Sequence, residues 1–209
     1  MIEQYFETFE DILFKYTDKI DFDIDIPTLD FLSKIGLPLL DIEIFFEGSF
    51  YPKKMKRVFY DSFPKTEFYS IGLMSLELPE FRFLLKEKER GIYFFTSEDG
   101  VISDSYLVNS DVEAFAYYLY RFHVFFVKLD LVNDYLDSGF TNSKIKDFLL
   151  EEFDSLIDDL IFVDKVALID SNFWYIYRVS NFYNGFIEFL SRENLTKIVA
   201  DKLEKRSHQ

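Results

Sequence analysis

The stretch Ile92-Tyr93-Phe94-Phe95-Thr96, then Ser97-Glu98-Asp99-Gly100, then Val101 to Val108, running into Asn109-Ser110-Asp111-Val112-Glu113, decides the fold class. Two strand-like runs flank an Asp-Gly pair, whose tolerance of positive φ suits a tight hairpin turn. The period then changes. Ser110 and Glu113 have the spacing of a capping box, and Asp111 favours the positive end of a helix. Beyond them Val112, Phe115, Leu119, Phe122, Phe126 and Leu129 step by three and four residues. That stepping predicts one apolar stripe on a helix reaching about Tyr135. A striped helix directly after a hairpin covers one face of the sheet.

Working outward, strand-like runs precede the hairpin at Asp41–Phe46, Arg57–Tyr60, Glu67–Leu73 and Glu80–Lys86, with Gly48, Pro52, Pro64 and Pro79 as turn formers between them. A meander is the economical topology. Further upstream, Pro27 and Thr28 open a short helix, Leu29–Ile35, which Gly36 closes and Pro38 prevents from resuming. Asp21, Asp23 and Asp25 alternate with Phe22, Ile24 and Ile26, the mark of extended chain with one wet face. Ile2, Phe6, Phe9, Leu13 and Tyr16 recur at helical spacing, so an amphipathic helix is expected to open the chain.

Downstream of the break at Asp137-Ser138-Gly139, a second helix is expected from about Ser143 to Phe162, with Ile145, Leu149, Phe153, Leu156 and Leu160 on its apolar side. Phe173–Leu190 fits helix or strand equally, and Leu195–Leu203 reads as a terminal helix. The order of elements indicates an α+β fold, an antiparallel sheet meander with flanking helices. One domain over residues 1–209 is expected, with a helical C-terminal part from about 140 to 206, because no linker-like segment or internal repeat interrupts the 209 residues.

Composition narrows the function classes. Twenty-seven Phe and fourteen Tyr supply much of the apolar bulk. They suit interfaces as well as cores, but they fall on periodicities that a core needs. With 38 acidic and 23 basic side chains the net charge is −15, which disfavours nucleic acid as a partner and favours basic proteins. The one concentrated basic patch is Lys53, Lys54, Lys56 and Arg57, in a loop-like stretch. Without cysteine there is no disulfide framework, thiolate nucleophile or cysteine zinc site. The first ten residues carry acids and no Lys or Arg, the wrong sign for a secretory signal, and no apolar run is long enough to cross a membrane. A cytoplasmic location is expected.

Few residues propose chemistry. His123 lies within the long helix without a second histidine at ligand spacing, and His208 stands next to the end. Asp21-x-Asp23-x-Asp25 starts like a calcium loop, but Ile26 and Leu32 stand where that loop needs Gly and Glu, so a solvated strand face is the expectation. No phosphate-binding glycine loop, nucleophile elbow or zincin motif occurs, and no cofactor is expected. The remaining feature is acidic. Asp147, Glu151, Asp154 and Asp158 lie along one line of the second helix, flanked by Glu152 and Asp159. Like charges at this spacing cost a helix about 0.2–0.5 kcal/mol per pair. The stripe is either a surface for a basic partner or a solvated face.

Three groups of residues, in order, carry a family resemblance. Leu29 to Pro38, ending in Gly36-Leu37-Pro38, resembles the entry of the SUKH (SMI/KNR-like) superfamily of bacterial immunity proteins. Ser70-Ile71-Gly72 and Phe81–Leu85 sit where that family has its central strands. Gly91-Ile92-Tyr93, Asp99-Gly100-Val101 and Leu107 to Phe115, with Asn109, Ser110 and Phe115, resemble its hairpin and the start of its long helix. The core of the resemblance spans about residues 27 to 137 and is closest to the family-four immunity proteins. It implies a non-catalytic protein, encoded beside a polymorphic toxin such as a nuclease or deaminase, that neutralises the toxin by direct binding in the cytoplasm. Other members of the superfamily bind regulatory or secretion-machinery partners instead. Only fold-defining positions carry over: Gly36, Pro38, Gly100, Asn109, Ser110 and Phe115.

Overall fold

Between residues 51 and 109 apolar and polar side chains alternate, and the chain folds back on itself four times. A computed structural model describes residues 13–17, 23–38, 50–74, 81–98, 101–136 and 142–176, without the side chains of residues 126 and 128–147. Strands β3 (Tyr51–Val58), β4 (Phe68–Leu73), β5 (Arg82–Lys86), β6 (Ile92–Glu98) and β7 (Val101–Asn109) form a five-stranded sheet in chain order, every neighbour antiparallel. This is the expected meander. Glu98 pairs with Val101, so two residues connect β6 and β7, as the Asp-Gly pair predicts. Asp99 and Gly100 themselves lie outside the described residues, as do the proposed strand Asp41–Phe46, Gly48 and Pro79.

The basic patch is not a loop. Lys53, Lys54, Lys56 and Arg57 belong to β3, whose pairing starts at Tyr51 rather than at Arg57. Buried Pro52 and Met55 anchor this strand while the four cations are exposed. As an edge strand of the described sheet, β3 tolerates the missing N–H of Pro52, and lysines discourage pairing with a further chain.

The opening of the chain departs from expectation too. Leu13 and Phe14 form β1, antiparallel to β2 (Leu37–Pro38), with Leu13 opposite Pro38 and Phe14 opposite Leu37. The helical spacing of Leu13 and Tyr16 therefore does not produce a helix there; Ile2, Phe6 and Phe9 lie outside the described residues. Tertiary partners override the local pattern: the Tyr16 N–H donates to Leu32 O at 3.0 Å, and its buried hydroxyl donates to Ile71 O.

Helix α1 (Ile26–Lys34) follows the reading closely. Pro27 occupies its first turn, and Asp25 caps it by accepting from the Thr28 N–H at 3.2 Å. Asp23 and Asp25 also pair with Lys88 and Arg90 at 3.3 and 3.8 Å, so they are more than a solvated strand face; Asp21 lies outside the described residues. The helix ends at Gly36, whose φ of +92° is the left-handed conformation. Its N–H donates to Phe31 O at 2.9 Å, and a Cβ there would collide with Phe14 O.

The two sides of the sheet differ. Tyr69, Ile71, Phe83, Leu85, Ile92 and Phe94 belong to the main core with α2 (Val112–Leu136) and α3 (Asn142–Asp164). The stripe residues Val112, Phe115, Leu119 and Phe122 are buried as predicted, Phe115 lying 5.5 Å from Phe83 and 5.0 Å from Phe50. The side chains of Phe126 and Leu129 are not among those described. On α3, Leu149, Phe153, Leu156 and Leu160 are buried, and Phe125 meets Phe153 at 5.5 Å. A 3-10 turn, Lys165–Leu168, then delivers Phe173, Trp174 and Tyr175 into the same core, where Trp174 stacks on Phe122 at 4.9 Å. Residues 177–209, with the expected terminal helix, lie outside the described residues. On the other side of the sheet Tyr60, Phe68, Leu84 and Phe95 form a small separate cluster.

Candidate functional site

The acidic line on α3 is held in place by a buried polar junction at the end of the hairpin. Asp164 continues the apolar stepping of Phe153, Leu156 and Leu160, a carboxylate where a hydrophobe is expected, and it is only 6% exposed. It accepts from the Ser110 N–H at 2.7 Å, from Ser110 Oγ at 2.9 Å and from Asn109 Nδ2 at 3.2 Å. The Asn109 Oδ1 accepts in turn from Trp174 Nε1 at 2.7 Å. Tyr118 Oη reaches the Asp164 and Leu160 carbonyl oxygens at 2.6 and 3.0 Å, satisfying the end of α3. Burial, and secondarily the Asp164 charge, raises the Tyr118 hydroxyl well above its ordinary pKa, so it stays a donor. These contacts tie the hairpin exit, the end of α3 and the tryptophan into one unit.

The junction revises the start of α2. Ser110 is not the N-cap, since the helix starts at Val112 and Asp111 precedes it; the Ser110 hydroxyl donates to Asp164, a residue 54 positions away. Asp111 caps the helix instead, accepting from the Ala114 N–H at 2.9 Å. The sequence reading placed Asn109 and Ser110 at a structural motif but missed Asp164 and Trp174. A charged residue in an apolar register, and the only tryptophan, were the available signals.

Glu151 and Asp154 project from α3 into solvent, and Asp158 is half-buried beside them; all three lie away from the buried row of Leu149, Phe153 and Leu156. The Asp147 side chain is outside those described. Asp159, at the flank, makes an ion pair with Arg121 of α2, which offsets part of the like-charge cost and fastens α3 to α2. Of the other fold positions, Gly36 is the left-handed turn before β2, Pro38 pairs with Leu13, and Phe115 is fully buried.

His123 is half-buried in α2, and loss of hydration lowers its pKa, favouring the neutral ring. Among the described residues no cluster of His, Cys, Asp and Glu has the composition to hold a metal ion, and no helix is long and apolar enough to cross a membrane.

The sequence matches the SUKH-4 immunity protein family over residues 20–179. No curated protein and no solved structure matches the chain. The matched span contains α1, the whole meander, α2, α3 and the junction formed by Asn109, Ser110, Asp164 and Trp174. With about three quarters of its length inside that match, the chain belongs to the SUKH-4 immunity protein family.

Proposed function

We infer that this chain is a non-catalytic cytoplasmic immunity protein that neutralises a cognate polymorphic toxin, of the nuclease or deaminase kind, by binding it directly. Family membership across residues 20–179 is the observation that carries the reading. Net charge of −15 supports a basic toxin domain as the partner, since opposite charge speeds encounter and penalises wrong partners. The contact surface in this reading is the acidic face of α3, through Asp147, Glu151, Asp154 and Asp158. Its acids stand on a helix braced at both the Asp159–Arg121 pair and the Asp164 junction, so they would meet a partner already ordered.

The experiment is capture of the product of the neighbouring gene at low and high salt, with the Asp154→Lys/Asp158→Lys variant alongside. Salt-sensitive capture of a basic domain, weakened roughly tenfold or more in a variant whose circular dichroism is unchanged, is the expected result. Capture that ignores both substitutions removes the α3 face from the interface. No capture at either salt overturns the immunity reading.

A further inference from the structure

The face of the sheet that none of the described helices covers lies largely in a stretch of the chain with more basic than acidic residues. Between residues 50 and 98 there are nine basic and seven acidic side chains, against fourteen and thirty-one in the rest of the chain. Register places the cations. Lys56 lies opposite Ser70, and Ser70 opposite Leu84; Arg82 lies opposite Phe95. Since paired residues share a face, Lys56 and Arg82 flank the small aromatic cluster on the side away from α2 and α3. Among the described residues neither makes an ion pair, and neither does Lys65 in the β3–β4 loop, whereas Lys86 on the same face is taken by Glu89.

That loop brings apolar surface to the same place. Phe63 packs on Phe68 and Phe95 at 5.7 and 6.2 Å yet stays 40% exposed. Beside it Tyr60 is 4% exposed, and among the described residues its hydroxyl has no hydrogen-bond partner. Leaving a buried hydroxyl unpaired costs about 1–3 kcal/mol. An exposed ring, cations without an ion pair and an unpaired hydroxyl thus coincide on a face that none of the described helices covers.

We propose that this face, centred on Phe63, docks a short acidic segment of a partner protein bearing aromatic or leucine side chains. Charge complementarity selects that occupant: its apolar residues extend the Phe63 cluster while its carboxylates meet Lys56, Lys65 and Arg82. Rings beside cations also suit single-stranded nucleic acid. A long polyanion, however, experiences the whole molecule at −15, whereas a short acidic segment responds mainly to cations within a Debye length of about 8 Å. The site is independent of the α3 surface and of the toxin reading.

The test titrates the 209-residue chain with a capped peptide alternating Asp with Phe and Leu, its Lys-for-Asp counterpart, and oligothymidylate. The Asp peptide binds saturably and loses roughly tenfold or more in affinity in Lys56→Glu/Arg82→Glu, while Asp154→Lys/Asp158→Lys leaves it unchanged or stronger. Phe63→Ala weakens it as well, and the charge-reversed double variant keeps the result interpretable if that variant unfolds. Absence of binding, equal binding of the Lys peptide, indifference to the Lys56/Arg82 reversal, or tighter binding of oligothymidylate overturns the proposal.

Discussion

The sheet has two faces built from the same alternation yet put to different use. One is sealed by α2, α3 and the Trp174 segment into a core where Phe83, Phe94, Phe115 and Phe173 lie within about 5–6 Å of a neighbouring ring. Among the described residues the other carries a smaller cluster, Tyr60, Phe68, Leu84 and Phe95 with Val58, Tyr93 and Ile102 against it, under a loop that leaves Phe63 partly in water. Alternation alone states that both faces carry apolar residues; it does not state which receives a helix. The sealed face holds the fold together, and the other is the one proposed above to dock a partner segment.

Paired truncations are the strongest way to break this comparison. Phe115→Ala removes a fully buried ring from the sealed face and is expected to cost about 3–5 kcal/mol in urea unfolding, whereas Phe63→Ala should cost less than about 1.5 kcal/mol because its ring already meets solvent. Equal losses would show the two clusters to be one cooperative core. Next in size, Asp164→Ala strips the Ser110 N–H and Asn109 Nδ2 of their acceptor; about 2–3 kcal/mol should disappear, and Trp174 emission should shift as its Asn109 bond loosens. A near-neutral result would mean that water replaces the carboxylate and that the junction does not brace α3.

The smallest effect concerns pH on the open face. Glu89 accepts from Lys86 Nζ and, at 2.7 Å, from Tyr93 Oη; these bonds, the lysine first, lower its pKa below the ordinary 4.5. A depressed folded pKa contributes stability that is present above the unfolded value and is lost as pH falls below about 4.5 through the folded one. Glu89→Gln should therefore flatten the acid limb of the stability–pH curve slightly, by an amount reduced by solvent screening. An unchanged acid limb would assign the acid sensitivity to other carboxylates. Tyr93, pushed up to about 12 by burial and then by Glu89, stays protonated throughout that range.

Legibility in the sequence followed the range of the interactions involved. The hairpin, the α2 stripe and the Gly36 stop each depend on neighbours within a turn or two, and each was readable from spacing. β1 was not, because Leu13 and Phe14 owe their strand to residues 37–38 and Tyr16 owes its burial to Ile71. Nor was the role of Ser110, which lies one residue before the Asp111 cap and donates to Asp164 from 54 positions away. The start of β3, before Arg57, reads as a loop because its cations and Pro52 are unfavourable in a central strand but acceptable on an edge. The acidic line could be read as a line, but spacing did not reveal that Arg121 occupies Asp159 at its flank.

By itself, then, the sequence determined the α+β class, the order of the meander, the covering helix and the family resemblance, since local periodicity and short motifs encode these directly. Tertiary structure alone decided which face of the sheet the helices seal, that Asp164 binds Asn109 and Ser110, and that the basic residues gather where aromatic rings stay exposed. These depend on which distant backbones come together, and a pairing across fifty residues leaves no period in the chain for a reader to find.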